Sequence, residues 1–357
     1  MRKTIPVEEA VGMVLPHDVT EIRIPCEQED DNSPDKGESQ DSFKGPAFKK
    51  GHIIRTEDIP HLKRLGKEHI YVLDLGPDNI HENEAARQLA AALAGSGTAV
   101  SGEPSEGKLN ITAKIDGLLK IDTHALYQIN FQGDVICSTL HTNMMAGSGD
   151  VVAATRLIPL VGKRDVVDRA TDIAGQSGGV IRVLPLRKAG AGLVITGNEV
   201  FQGRIKDKFE PVLRKKLSTI GSDVIQVRIA PDDVDIIAKE IKNCLDAGAD
   251  LIVTSGGMSV DPDDVTRFAI KAAGAVDIVY GAPVLPGAMF LVGYIGKVPV
   301  LGLPACGMFY KITVFDLILP RVLAGEKIQR KDLAELGHGG LCRNCKKCTF
   351  PVCGFGK

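Results

Sequence analysis

No apolar run in this sequence approaches the roughly 20 residues that a membrane-crossing helix needs, and the opening MRKTIPVEEAVG lacks the apolar stretch of a secretory leader. Neither sign of charge is in surplus. The 43 basic and 45 acidic residues leave a formal net charge of −2, too little for an overall field that would recruit nucleic acid or an anionic membrane. These absences predict a cytoplasmic protein with no membrane and no nucleic-acid partner, in which any anion recognition is local. A disulfide framework is also missing: Cys26, Cys137, Cys244 and Cys306 are scattered, while the remaining four of eight cysteines crowd the last sixteen residues.

What is present has the balance of a globular chain. Apolar residues make up 44% and charged residues 25% of 357 positions, which suits about two to three domains and a substantial core. The first, residues 1–100, reads as an α+β region. VEEAVGMVL is a short amphipathic helical pattern ended by Pro16, VTEIRIP alternates as a strand, and KGHIIRTEDIPHLKRLGKEHIYVLDL reads as strand, helix and strand. That helix is expected to start after Thr56 and to stop at Gly66. Between these patterns, residues 26–42 contain seven acids, one lysine and no large apolar side chain, which predicts a solvated loop, with a regulatory acidic segment as the alternative. NEAARQLAAALAG is a second helix, and residues 95–107 read as a turn-rich linker.

Residues 105–165 form a small β-rich module from LNITAKI, LYQINF, DVICSTLH and VVAATRLIPLV, with MAGSGD as a β-turn. His124 and His141 have no paired ligand at helical or strand spacing and read as ordinary surface or core histidines. Residues 188–325 change style. GLVIT, VIQVRI, DLIVT, VDIVY, MFLVGYI and VPVLGL alternate with helical patterns, one with Phe209, Val212, Leu213 and Leu217 on a face, another with Val234, Ile237, Ala238, Ile241 and Leu245. Strands covered on both faces predict an α/β, doubly wound, three-layer α/β/α domain, with MFLVGYI and VPVLGL free to pair antiparallel.

Ligands of such sheets bind beyond the carboxyl ends of the strands. Three loops stand there: TGNE at 196–199, TSGGMSVDPDD at 254–264 and PACG at 304–307. In the middle loop Gly256 and Gly257 admit close backbone approach, and Thr254, Ser255 and Ser259 carry hydroxyls, a chemistry suited to phosphate. The same residues also read as a helix start, with Asp261 as N-cap, Pro262 at the first helical position, and Asp263 and Asp264 complementing the helix dipole. Glu199 beside a phosphate pocket suggests a bridging divalent cation, Mg²⁺ above all.

Four pieces in this order, Thr196-Gly197-Asn198-Glu199, Thr254-Ser255-Gly256-Gly257-Met258-Ser259-Val260 with Asp264, Pro286-Gly287, and Gly302-Leu303-Pro304-Ala305, resemble the molybdopterin-binding domain. Molybdopterin molybdotransferases (the gephyrin E-domain family), molybdopterin adenylyltransferases and the competence/damage-inducible proteins share that domain, and IPVEEAVGMVLPHDVT resembles the opening of the first group.

The resemblance implies molybdopterin or its adenylated form as ligand, held by Thr196, Gly197, Thr254, Ser255, Gly256, Gly257 and Ser259. It further implies Asp264 and Glu199 as the catalytic or Mg²⁺-binding carboxylates, and Pro286, Gly287, Pro304 and Ala305 as the pocket wall. The expected role lies in molybdenum cofactor biosynthesis, as a Mg²⁺-dependent transferase inserting molybdate or tungstate. Such an enzyme would be a homodimer, with a molybdoenzyme or another cofactor-assembly protein as possible partner. The alternative is a carrier, chaperone or sensor that holds the pterin without turnover. Four departures favour that alternative: Asn198 where the family has Asp, Asp261 where it has Gly, Ala288-Met289 for Lys-Pro, and Ala305-Cys306 for Gly-Asn.

Residues 338–357 form a cysteine-rich tail with Cys342, Cys345, Cys348 and Cys353 spaced C-x2-C-x2-C-x4-C. This spacing points to metal ligation, by zinc or by an iron–sulfur cluster. Cys244 lies on an amphipathic helix and reads as packing, whereas Cys306 sits at the rim of the presumed pocket.

Overall fold

The six apolar segments between residues 190 and 303 become one mixed sheet. The computed structural model describes residues 2–23, 43–73, 75–176, 178–259, 261 and 264–357. The acidic stretch 26–42 with Cys26, and the residues Pro262 and Asp263 expected to open a helix, lie outside that set. Across the sheet the strands run Asp223–Ala230, Gly190–Thr196, Leu251–Ser255, Val298–Leu303, Leu291–Ile295 and Val276–Tyr280. The first four are parallel, and the last two pairings are antiparallel, closing through the Gly296-Lys297 turn.

Strand alternation explains why the runs are continuously apolar. Leu193, Val253 and Leu301 point into one core, shared with Phe209, Leu213 and Leu217 of helix Phe209–Thr219 and with the almost wholly buried helix Val314–Leu323. Their neighbours Val194, Ile252 and Val300 point into a second core, shared with Ile237, Ala238, Ile241 and Cys244 of helix Val234–Asp246. The buried positions of the four central strands are therefore covered on both faces, while the edge strands leave Ile225, Ile229 and Val276 exposed. Cys244 is indeed packing: it is fully buried, and a Cβ on Gly192 would stand 2.6 Å from its own.

The amino-terminal part pairs Arg2–Pro6 with His69–Leu73 and Val19–Arg23 with Phe43–Phe48 around Val7, Leu15, Ile54, Leu62 and Val72. VEEAVGMVL forms only a 3-10 turn, Val7–Ala10, because Met13 and Val14 are drawn into backbone bonds with Ile54 and Leu73 instead of continuing a helix. A further core gathers residues from Ile80 to Val183, with helices Glu82–Leu93 and Arg164–Gln176 against a four-stranded sheet.

Two expectations fail in this region. The linker at 95–107 is a strand, Thr98–Ser105, paired with Lys108–Ala113; its turn residues belong to the hairpin, where Glu106 and Gly107 take positive φ. LYQINF belongs to the helix Thr123–Asn130, capped by the Asp122 carboxylate accepting from Ala125 N at 3.0 Å. Ala125 and Ile129 face the core four residues apart, while Tyr127 and Phe131 stack on each other outside. Among the described residues, no helix is long and apolar enough to cross a membrane.

Candidate functional site

The chain leaves Gly190–Thr196 for one side of the sheet and returns to Leu251–Ser255 on the other, so the loops after these two strands meet at the switch point of the topology. Contact there is tight. Gly256 has φ +88°, and a Cβ on it would lie 2.4 Å from Thr196 O; Gly257 has φ +57°, and its Cβ would lie 2.4 Å from Thr266 Oγ1. The paired glycines are thus required by backbone conformation and by the space that Thr196 and Thr266 occupy. Thr196 Oγ1 donates to Ser255 O at 3.1 Å and shares a 2.9 Å bond with Thr266 Oγ1, while Thr266 N donates to Gly257 O. Tyr280 OH donates to Met258 O at 2.7 Å, so the loop is pinned from three elements.

Gly256, Gly257, Ser259 and Asp264 line one side of a cavity of about 510 Å³. Pro286 and Gly287 line another; Gly287, at φ +124°, packs where its Cβ would meet Val314 at 2.6 Å. Pro304, Ala305 and Cys306 supply a third wall from a 3-10 turn, Ala305–Met308, in which Gly307 N donates to Pro304 O. Three of the four sequence pieces therefore converge on one space. Tyr310 and the tail residues Leu341, Cys342 and Asn344 line it as well. No local pattern announces these last residues: the tail reaches the cavity through a parallel bridge between Leu285 and Leu341, with Cys342 N donating to Leu285 O at 2.8 Å.

Other expected residues stand elsewhere. The hydroxyls of Thr254 and Ser255 are buried and find no hydrogen-bond partner among the described residues, and Thr196 is buried under the loop. All three support the loop and do not line the cavity. Gly197 and the exposed Glu199 also fall outside the lining; Asn198 is tied to Asp232 by reciprocal bonds, its N donating at 2.9 Å and its Oδ1 accepting at 3.3 Å. The helix expected from Asp261 begins instead at Thr266, running to Ala272. Asp264 closes a local turn, its Oδ2 accepting from Asp261 N at 3.1 Å and its own N donating to Asp261 O. Thr266 is held by Gly257 and Thr196, which fixes where the first helical residue can be.

Neither expected metal site is preformed among the described residues. Among the described residues, no three His, Cys, Asp or Glu side chains are gathered closely enough to hold a metal ion, neither around Asp264 and Glu199 nor among Cys342, Cys345, Cys348 and Cys353. Among the described residues, Asp264 is the one carboxylate in the cavity lining, and no lysine or arginine lines it. An anion bound there would rely on backbone N–H groups or on a bridging cation. Burial pushes the Cys306 thiol above its ordinary range, with its own backbone N–H partly offsetting the shift.

Residues 192–324 match the family described as probable molybdopterin binding domain, and residues 39–74 match a domain of unknown function. A CinA-like protein of Thermosipho melanesiensis is 34% identical over 88 residues, covering 25% of this chain and 22% of that protein. A CinA-like protein of Mycobacterium leprae is 38% identical over 78 residues, 22% of this chain and 18% of its own. The chain thus spans about a fifth of the length of these curated relatives. Among solved structures, a molybdopterin biosynthesis MoeA protein of Pyrococcus horikosii aligns over 92% of this chain and 76% of its own, at 16% identity and a TM-score of 0.33.

Proposed function

Residues 192–324 are a domain of the molybdopterin-binding family, and from that premise we propose that this chain binds molybdopterin or adenylated molybdopterin in the cavity at the switch point and promotes Mg²⁺-dependent insertion of molybdate. The observation that carries the reading is convergence: the Gly256-Gly257 loop, Pro286-Gly287 and Pro304-Ala305 come from separate strand ends and meet around one space of about 510 Å³. Backbone N–H groups of the glycine loop suit a phosphate, since both glycines allow an anion to approach the main chain. Asp264 is the side chain suited to Mg²⁺, which needs only one or two protein carboxylates when substrate phosphates supply the rest. When bound, Mg²⁺ would neutralise charge on the phosphate oxygens. Asp264 orients that charge-neutralising site, Ser259 offers a hydroxyl, and the apolar wall of Pro286, Ala288 and Pro304 excludes water from one face of the ligand.

The test is release of AMP from adenylated molybdopterin by the pure protein with Mg²⁺ and molybdate. Asp264→Asn should abolish release, and Glu199→Gln, outside the lining, should reduce it less. A carrier reading is favoured by one feature, the absence of any lysine or arginine from the lining among the described residues. Tight pterin binding with no AMP released, unchanged in Asp264→Asn, would establish the carrier instead. A homodimer is the assembly expected under either reading, to be checked by light scattering.

A further inference from the structure

The cysteine tail is fastened to the domain at both ends and exposed in the middle. At its start, Leu285 N donates to Gly340 O and Cys342 N to Leu285 O, each at 2.8 Å. At its end, Phe355 is buried in the core beside Leu317, and Gly356 lies so close to Leu317 that a Cβ would meet it at 2.5 Å. Between these anchors Cys345 and Cys348 are exposed, whereas Cys342 and Cys353 are half-buried against the core. All four cysteines line one cavity of about 430 Å³, yet no three are close enough to hold a metal ion as they stand.

One further feature points to an ion. Residues 338–357 carry Arg343, Lys346, Lys347 and Lys357 and no acid, a charge that complements the dianion formed by a divalent ion and four thiolates. Asn344, at φ +50°, donates its backbone N–H to Cys342 Sγ at 3.4 Å, which holds that sulfur in place at the anchored end of the tail. The cysteine cavity also shares a wall with the ligand cavity: Tyr310, Leu341, Cys342 and Asn344 line both. A movement that gathers the thiols around Cys342 therefore involves residues that line both cavities.

We propose that the tail is a metal-responsive wall of the ligand cavity. One zinc ion captured by Cys342, Cys345, Cys348 and Cys353 draws the exposed 343–349 segment inward onto the two anchored cysteines and fixes Leu341–Asn344 across the cavity mouth. Each thiol binds as thiolate, so its proton is released to solvent and no electron is transferred. The proposal does not depend on which ligand the cavity takes, and its test uses none.

The full chain, purified reduced and metal-free, is titrated with Zn²⁺, and iodoacetamide labelling of Cys306, which lines the ligand cavity but not the cysteine cavity, is followed by mass spectrometry. One zinc should bind per chain and slow Cys306 labelling about threefold or more. In Cys345→Ser/Cys348→Ser, whose changed side chains are exposed and outside the ligand cavity, zinc should no longer slow it; circular dichroism of this variant establishes that it is folded. Absence of zinc binding overturns the proposal. So does zinc bound with unchanged Cys306 labelling, zinc protection that persists in the double variant, or iron with inorganic sulfide recovered from anaerobically purified protein in place of a single ion.

Discussion

Replacing Gly256 by alanine tests whether the ligand loop is built by contact with the neighbouring strand end. Two costs are expected. An L-residue at φ +88° carries about 1–2 kcal/mol of backbone strain. The new Cβ would also stand 2.4 Å from Thr196 O and 2.9 Å from Thr196 Oγ1, atoms at the end of a central strand that cannot move without disturbing the sheet. Forcing a methyl into packed structure costs about 1–3 kcal/mol. Gly248 supplies the control: its φ is +90°, and a Cβ there meets nothing within 4 Å. Gly248→Ala should therefore show the strain alone, about 1–2 kcal/mol, and Gly256→Ala a further 1–3 kcal/mol or so. Equilibrium urea unfolding of the two variants beside the wild type measures the difference at constant m-value. Equal destabilisation would refute the reasoning, because the loop would then be yielding freely and its glycines would owe nothing to Thr196.

Three other outcomes follow from the same geometry. Thr254→Val removes a buried hydroxyl that has no partner among the described residues, so stability should be unchanged or rise by up to about 1 kcal/mol in thermal unfolding; a measurable loss of stability, or a collapse of ligand binding, would show that the hydroxyl has a partner. Burial raises the Cys306 thiol above the ordinary value of about 8.5. Its alkylation rate should keep climbing past that pH, and its contribution to stability, complete below the ordinary value, should fade as pH rises through the higher folded value; a rate that levels off near pH 8 would contradict this. Arg321, 5% exposed, donates Nε to Glu326 and Nη2 to Asp332, each at 2.9 Å. Arg321→Leu leaves Asp332 facing an apolar side chain, while Glu326 keeps its ion pair with Lys120 at 2.7 Å, and should cost about 1.5–3 kcal/mol in urea unfolding.

Much of the sheet was legible before any coordinates because strands covered on both faces must be apolar at every position, and that pattern survives in the linear text. The six runs from GLVIT to VPVLGL all became strands of one sheet. Short segments with mixed period were not legible. LYQINF offers apolar residues at both strand and helix spacing, and only the Asp122 cap and the core contact of Ala125 and Ile129 selected the helix. The strand Thr98–Ser105 was hidden by Gly102, Pro104 and its two serines, which are compatible with a hairpin edge once Lys108–Ala113 lies beside it.

Within the candidate site, residue type and order alone determined that Gly256, Gly257, Pro286, Gly287, Pro304 and Ala305 belong to loops at strand ends, because glycine and proline restrict the backbone wherever they occur. Which hydroxyls face a ligand was beyond that reach: Thr196, Thr254 and Ser255 are buried because layers on both sides of the sheet cover them. The position of the helix after Asp264 was likewise set by Thr266 locking onto Thr196, seventy residues earlier. The cysteines of the tail announced themselves by spacing, but their place in the wall of the cavity depends on Leu341 pairing with Leu285. Such a pairing is a long-range contact that no local propensity encodes, and only the folded chain brings it about.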